Sequence, residues 1–321
     1  MEKLIKIDDY SRVRDICGIE DKNLRFIEKE LKVTIALRAD GILVKGESKR
    51  IEKALHFITK MMDLAREGMV FSQTELSQYL NAVHLSGDEG VRQDEDSQGI
   101  RVFSTRKRLV LPKTQGQQDY IKAIRKHDVI FSIGPAGTGK TYLAMALAVN
   151  FLMRKNVGRI ILTRPAIEAG ESLGFLPGDM AEKMGPYLRP LYDALYDMME
   201  AEMIEEFIET GVIEVAPLAY MRGRTLNNAF VILDEAQNCT TEQLKMFITR
   251  LGFDSKAVIT GDITQSDLPG GKPVGLLEGV EILKAIEDIK FVYLGRNDVV
   301  RNPLIQKIIQ AYENFYREKA N

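Results

Sequence analysis

The sequence predicts an α/β protein in which a parallel sheet, covered by helices on both faces, carries a phosphate-binding loop and is preceded by a smaller α/β unit. Three observations predict this. Apolar runs short enough to be buried strands alternate with helical stretches from about residue 130 onward. Gly134-Pro135-Ala136-Gly137-Thr138-Gly139-Lys140-Thr141 fits the pattern G-x-x-x-x-G-K-[ST] at every fixed position, with Val129 to Ile133 reading as a strand before it and Thr141 to Arg154 as a helix after it. The length, 321 residues, suits two domains better than one.

Composition narrows the classes. The formal net charge is −2, so a nucleic-acid partner would have to be met by a local basic patch. Two distant cysteines, Cys17 and Cys239, exclude a disulfide scaffold and a four-cysteine zinc site. Three scattered histidines argue against a histidine metal centre. Met1 to Lys6 lacks the apolar core of a signal peptide. No apolar run approaches the ~20 residues of a membrane span. The expected address is the cytoplasm, with no membrane partner.

Residues 1–85 read as the small unit. A helix is expected over Asn23 to Leu31, with Leu24, Ile27 and Leu31 on one face. Strands follow at Val33 to Leu37 and Ile42 to Val44, joined by the turn Ala39-Asp40-Gly41. Ser48 suits a helix N-cap, and a helix then runs to about Arg66 with Ile51, Ala54, Leu55, Ile58, Met62 and Ala65 as its apolar stripe. Another helix is expected from Ser72 to Val83. This order, with Gly18-Ile19-Glu20-Asp21 ahead of the first helix, resembles a KH-type RNA-binding domain. Such domains clamp nucleic acid with a G-x-x-G loop. Here Asp21 stands at the second glycine beside Glu20, and carboxylates there repel phosphate. A KH-like fold used for packing or protein contact is therefore the competing reading.

Residues 86–112 read as a charged linker, acidic at Asp88, Glu89, Asp94, Glu95 and Asp96 and interrupted by glycines, and expected to act as a mobile tether. The chain then turns basic at Arg101, Arg106, Lys107, Arg108 and Lys113. Such a cluster suits phosphate contact, although a solvated charged face is its commoner meaning.

Residues 113–321 form the second domain. Strands are expected at Ile130–Ile133, Arg159–Thr163, Val212–Val215, Phe230–Leu233, Ala257–Thr260 and Phe291–Leu294. Met180 to Thr210 reads as a helical insertion broken near Pro186 and Pro190. Ligands of such sheets sit at the carboxyl ends of the strands. In the phosphate loop the glycines let successive N–H groups converge on an anion, and the helix N-terminus adds partial positive charge. Lys140 is expected to reach the β- and γ-phosphates of ATP, and the Thr141 hydroxyl to hold Mg²⁺.

The second half of the nucleotide site is Val231-Ile232-Leu233-Asp234-Glu235, an apolar strand ending in two carboxylates. Asp234 is expected to hold Mg²⁺ through its water shell, and Glu235 to orient and deprotonate the attacking water. Alone, adjacent acids also suit a helix N-terminus near Thr241. A phosphotransferase needs no such water-activating acid, so Glu235 favours hydrolysis.

Asp234-Glu235-Ala236-Gln237 resembles motif II of helicases, which implies a RecA/helicase-like P-loop NTPase core. Thr114 to Tyr120 resembles the helicase Q motif, implying that Gln117, or else Gln118, reads the adenine edge. Thr260-Gly261-Asp262-Ile263-Thr264-Gln265 resembles motif III, implying that Gln265 senses the γ-phosphate with Asp262 as its brace. With Thr163 to Glu171, Leu173 to Gly178, Tyr220 to Thr225, Gly261-Asp262 to Pro269, and Asp298 to Pro303, the chain resembles the PhoH-like family, of the YbeZ type. The resemblance implies a cytoplasmic, Mg²⁺-dependent ATPase linked to RNA, with a YbeY-type endoribonuclease as partner. An ATP-dependent assembly or RNA-binding switch without unwinding activity is the alternative.

Helicases complete their ATP site with a second lobe that supplies an arginine. Here only about 56 residues follow Gln265, short of a second domain of ~100–150. A ring, most simply a homo-hexamer, is therefore expected, with the finger supplied in trans. Arg301 is the first candidate, then Arg296, Arg222 and Arg224. In the loop after the second strand, Arg164 suits an RNA backbone phosphate and Phe175 a stacked base; a packed loop with Phe175 in the core is the competing reading.

Overall fold

The structure is a computed structural model that describes residues 1–6, 16–38, 40–66, 76–77, 80, 100–101, 109–165, 180–263, 265, 275–300, 304–305, 308 and 311–312. The chain divides into two compact units, Met1–Leu111 and Pro112–Asn321.

The first unit is a three-stranded antiparallel sheet with helices packed on it. Its strands are β1 (Glu2–Lys6), β2 (Thr34–Arg38) and β3 (Gly41–Lys45), in the order β1-β3-β2. Its long helices are α1 (Lys22–Leu31) and α2 (Ser48–Arg66). Leu24, Ile27 and Leu31 of α1 meet Ile51, Ala54, Ile58 and Met62 of α2 in one core with Ile42 and Val44. Strand β1 has no counterpart in the sequence reading. Of its five residues only Ile5 leans on the core, so the sequence carries almost no period-2 signal there. Ser48 is the first helical residue and not the cap, because Glu47 supplies the carbonyl that accepts from the Ile51 amide at 2.9 Å. The helix expected over 72–83 lies largely outside the described residues; Leu76 and Leu80 are buried in the same core. Within the expected linker, β4 (Ile100–Arg101) pairs antiparallel with β5 (Leu109–Val110), and Leu111 joins the first unit's core. The rest of 86–108 lies outside the described residues.

The turn leading into α1 is unusual. Gly18 has φ 73°, and the non-glycine residues Glu20 and Asp21 have φ 55° and 56°. Asp21, which stands where a G-x-x-G loop has its second glycine, therefore occupies a left-handed conformation that costs glycine nothing.

The second unit holds a six-stranded sheet in the order β11-β6-β10-β9-β7-β8, parallel throughout. Its strands are β6 (Val129–Ile133), β7 (Arg159–Arg164), β8 (Ile213–Pro217), β9 (Ala229–Leu233), β10 (Lys256–Gly261) and β11 (Ile289–Tyr293). These are the six expected. Strands buried on both faces read as near-continuous apolar runs, and β9 is buried at all five residues. Alternation sends Phe131, Ile133, Val231, Leu233, Ala257 and Ile259 to one face, against Leu244 and Phe247 of α7 (Thr241–Ile248) and Leu276 of α8 (Gly275–Leu283). Phe230 points to the other face, where its ring meets Phe151 of α4 (Lys140–Met153) edge-on at 5.5 Å. Helix α3 (Gln115–Lys126) precedes β6 and is capped by the Thr114 side chain, which accepts from the Gln117 amide.

The insertion differs from expectation. Helix α5 (Met180–Tyr196) runs through both Pro186 and Pro190, and the break falls after Tyr196, before α6 (Ala201–Glu209). Both prolines lie on the exposed side, while Leu188, Leu191 and Leu195 are buried. An interior proline costs about 3 kcal/mol. Burying three leucines, at roughly 1.5–3 kcal/mol each, offsets that.

Candidate nucleotide site

The strand order puts β6 inside the sheet, with β11 on one side and β10 on the other. The loop that leaves β6 therefore emerges among strand ends. Its amide at Gly134 donates to Gly261 O at 3.1 Å, and Leu294 N donates to Ile133 O at 2.8 Å. A Cβ at Gly134 would lie 2.4 Å from Leu294 O, so only glycine lets β11 pack this closely. Gly137 and Gly139 take φ 84° and 81°, and Gly139 is the N-cap of α4. This left-handed curl is what the loop needs to turn its amides inward.

The loop is braced from α3. Gln117 is buried; its Nε2 donates to Thr138 O at 3.0 Å and its Oε1 accepts from the Lys113 amide at 2.7 Å. The Tyr120 hydroxyl donates to Lys140 O at 3.1 Å. The motif resemblance assigns Gln117 to adenine. In the structure both ends of its amide have a main-chain partner, and the bond to Thr138 braces the loop. Gln118 beside it is also buried. On the other flank the Val300 amide donates to Gly137 O at 2.9 Å, and Asp298 accepts from the Thr114 hydroxyl at 2.5 Å. Asp298 lies 184 residues from Thr114 along the chain, and nothing in the sequence signals the contact.

Lys140 Nζ donates to Gly134 O at 2.6 Å and Pro135 O at 3.0 Å. Burial pushes its ammonium below the usual lysine range, while Asp262, Glu235 and Asp234 oppose that shift. Asp234 is buried directly beyond β9. Its Oδ1 accepts from Thr141 at 2.6 Å and from Thr260 at 2.7 Å. Thr260, named in the motif III resemblance without a role of its own, is here a partner of Asp234. Its signal is a hydroxyl near the end of an otherwise apolar strand, beside a strand that ends in a pair of acids.

Glu235 follows with φ 55°, a left-handed conformation rare for a non-glycine residue and one that concentrates at functional sites. Its Oε1 lies 3.2 Å from Arg164 Nη2 at the end of β7, and its Oε2 accepts from Gln237 Nε2. Gln237 Oε1 in turn accepts from the Asp262 amide at 3.0 Å. Arg164 also donates to Tyr187 O in α5 at 3.1 Å. Arg164, the residue expected to suit an RNA phosphate, pairs with Glu235 in this structure.

Gln265 is exposed in the turn after β10, its amide donating to Asp262 O at 3.2 Å. Arg301 and Phe175 lie outside the described residues. Arg222 and Arg296 are exposed. The Arg224 guanidinium contacts Glu214 at 2.5 and 2.7 Å.

The donor chemistry fits the expected ligands. A hydroxyl and a carboxylate are hard oxygen donors of the kind Mg²⁺ takes, and that ion usually keeps several waters and shares phosphate oxygens. No group of three or more His, Cys, Asp or Glu that could hold a metal by protein ligands alone occurs among the described residues. No helix among them is long and apolar enough to cross a membrane.

Comparison with known proteins places the chain in a family. The family model described as PhoH-like protein matches residues 109–313. A PhoH-like protein of Bacillus subtilis (strain 168) is 46% identical over 311 residues, covering 96% of both chains. One of Mycobacterium tuberculosis (strain ATCC 25618 / H37Rv) is 49% identical over 300 residues, covering 94% of this chain and 84% of its own. Protein PhoH of Escherichia coli (strain K12) is 41% identical over 273 residues, covering 84% and 75%. The flagellar accessory protein FlaH from Methanocaldococcus jannaschii aligns over 67% of this chain and 77% of its own at 13% identity, with a TM-score of 0.23, too loose a superposition to add weight. With a phosphate loop, a paired-acid strand end and near full-length similarity of this degree, the chain belongs to the PhoH-like protein family.

Proposed function

We propose that this protein is a Mg²⁺-dependent ATPase, acting in RNA metabolism beside a YbeY-type endoribonuclease. The observation that carries the ATPase reading is the convergence of Lys140, Thr141, Asp234 and Glu235 at the ends of β6 and β9. The amides of residues 134–141 and the α4 N-terminus bind the phosphates. Lys140 brings its ammonium to the β- and γ-phosphate oxygens. Thr141 and Asp234, with Thr260 fixing the rotamer of Asp234, hold the metal site. Bound there, Mg²⁺ supplies charge neutralisation at the phosphates. Glu235 takes a proton from the attacking water as its oxygen bonds to the γ-phosphorus and the bond to the ADP oxygen breaks.

Lys140→Ala is expected to lose ATP binding. Glu235→Gln is expected to bind ATP while turnover falls at least about 100-fold. Full turnover in Glu235→Gln would dispose of the assigned base.

The RNA and assembly parts of the proposal rest on the helicase-like motif order and on the one six-stranded sheet found among the described residues. A homo-hexameric ring would bring an arginine to each γ-phosphate from a neighbour, with Arg301 first and Arg296 and Arg222 behind it. Mixing Arg301→Ala with Glu235→Gln subunits should restore some hydrolysis at mixed interfaces. An assembled mixture with none would exclude Arg301 in trans. Stimulation of ATP turnover by single-stranded RNA is the matching test of the RNA reading.

A further inference from the structure

Among the polar residues of the run Asp234-Glu235-Ala236-Gln237, Gln237 has no task in the chemistry proposed above. It sits in a short 3-10 helix (Ala236–Asn238) and is only 3% exposed. Its amide joins two strand ends. Oε1 accepts from the Asp262 amide, just past β10, at 3.0 Å, and Nε2 donates to Glu235 Oε2, just past β9. A main-chain N–H can only donate, and an ionised carboxylate can only accept. One orientation of the Gln237 amide therefore serves both neighbours, and the Asp262 N–H selects it. Glutamate in that place would have no donor for Glu235. Gly261 leaves the room for this arrangement: a Cβ there would lie 3.0 Å from Gln237 Oε1.

We infer that Gln237 is a positioning residue for Glu235: its Nε2, aimed by the Asp262 amide, fixes the carboxylate for ATP turnover. The inference rests on the reading of Glu235 as the water-activating carboxylate. Of the three acids whose attraction keeps Lys140 protonated, Asp262 acts most strongly, then Glu235, then Asp234. The carboxylate that Gln237 holds thus feels the phosphate-loop lysine. Its other oxygen faces Arg164 at 3.2 Å, in a pair whose side chains are 21% and 36% exposed, so water screens it. Gln237 is the more deeply buried of the two partners, and packing has already restricted its side chain. A reacting group misplaced by about 1 Å can lose about 100-fold in rate, so a buried donor at the carboxylate is worth more to turnover than to binding.

The test is ATP hydrolysis by the full chain at about pH 8.5, well above the ordinary carboxylate range. The variants are Gln237→Glu, Gln237→Met, Glu235→Gln and the doubles that join each Gln237 change to Glu235→Gln, with ATP binding and melting temperature measured in each. Gln237→Glu keeps an acceptor for the Asp262 N–H and removes the donor for Glu235. Its kcat is expected to fall about 10- to 100-fold, with KM for ATP within about twofold of wild type. Gln237→Met loses both bonds and is expected to be at least as slow and to melt lower. In the Glu235→Gln background either change is expected to alter the residual rate by less than about twofold, because the carboxylate being positioned is gone. Wild-type kcat in a folded Gln237→Glu protein overturns the inference, since satisfying the Asp262 amide would then be the whole role of Gln237. A further large fall in the double variants overturns it too. If Gln237→Glu does not fold, Gln237→Met and its double variant decide in the same way. Retained turnover in Glu235→Gln is a different result, and it removes the reading beneath the inference instead.

Discussion

Two turns in this molecule lead into helices by the same backbone device and end with opposite chemistry. Before α4, Gly137 and Gly139 take left-handed conformations and Lys140 follows. Before α1, Gly18, Glu20 and Asp21 take left-handed conformations and Lys22 follows. Both N-caps, Gly139 and Asp21, are left-handed, and neither helix has a side-chain capping bond. In the first turn the bends are made by residues without side chains, so the amides stay open to an anion. In the second, two of the three are made by carboxylates, which place negative charge where a phosphate would sit. The difference teaches that a helix N-terminus becomes an anion site through what is left off the turn as much as through the turn itself.

Substitutions can break or sharpen that comparison. The largest effect is expected at Gly134→Ala, because the new Cβ meets the backbone of Leu294 at 2.4 Å. A loss of about 1–3 kcal/mol in denaturant unfolding is expected, together with loss of nucleotide binding. A Gly134→Ala protein of wild-type stability would show that β11 yields easily. The matched experiment in the other turn is smaller. Asp21→Ala should be about 1 kcal/mol less stable than Asp21→Gly, since alanine tolerates the left-handed region poorly and glycine does so freely. Equal stabilities would mean that the turn readjusts.

The smallest effect concerns the cysteines, Cys17 beside the acidic turn and Cys239 in the core of the second unit. Burial pushes the Cys17 thiol up to about 11, with Asp21 adding to the rise, and burial alone pushes Cys239 up to about 12. Above the ordinary thiol value of about 8.5 the unfolded chain loses protons that the folded chain keeps, so stability falls as pH rises, by under about 1 kcal/mol per thiol at pH 9. Denaturant midpoints between pH 8 and pH 9.5 should fall, and Cys17→Ala/Cys239→Ala should flatten the decline. Asp21→Gly should soften the contribution of Cys17 and leave that of Cys239 unchanged.

Much of the second unit is legible in the sequence because its physics is local. A strand buried on both faces is an apolar run wherever it is met, and a phosphate loop is a contiguous string whose glycines are dictated by its own curl. Asp234 and Glu235 can be placed because they end such a run. Three features escape, each for a physical reason. Strand β1 gains its place by main-chain pairing with β3, which leaves little trace in side chains. Helix α5 continues through two prolines because leucines on its far side are buried, a balance struck only on packing. The partners of Glu235 and Gln117 are fixed by neighbouring strand ends and loop carbonyls. A motif string names a side chain's type but carries nothing about which way the carboxylate or amide turns once the sheet has assembled.

The two carbonyl contacts of Lys140 have a consequence for how tightly any anion is gripped. The ammonium already shares its protons with Gly134 O and Pro135 O. A phosphate that takes this cation takes it from oxygens of the protein's own main chain. The free energy of capture is then the contrast between two well-matched sets of acceptors, so modest changes in the loop's curvature can tune a nucleotide's residence over a wide range without altering a single side chain.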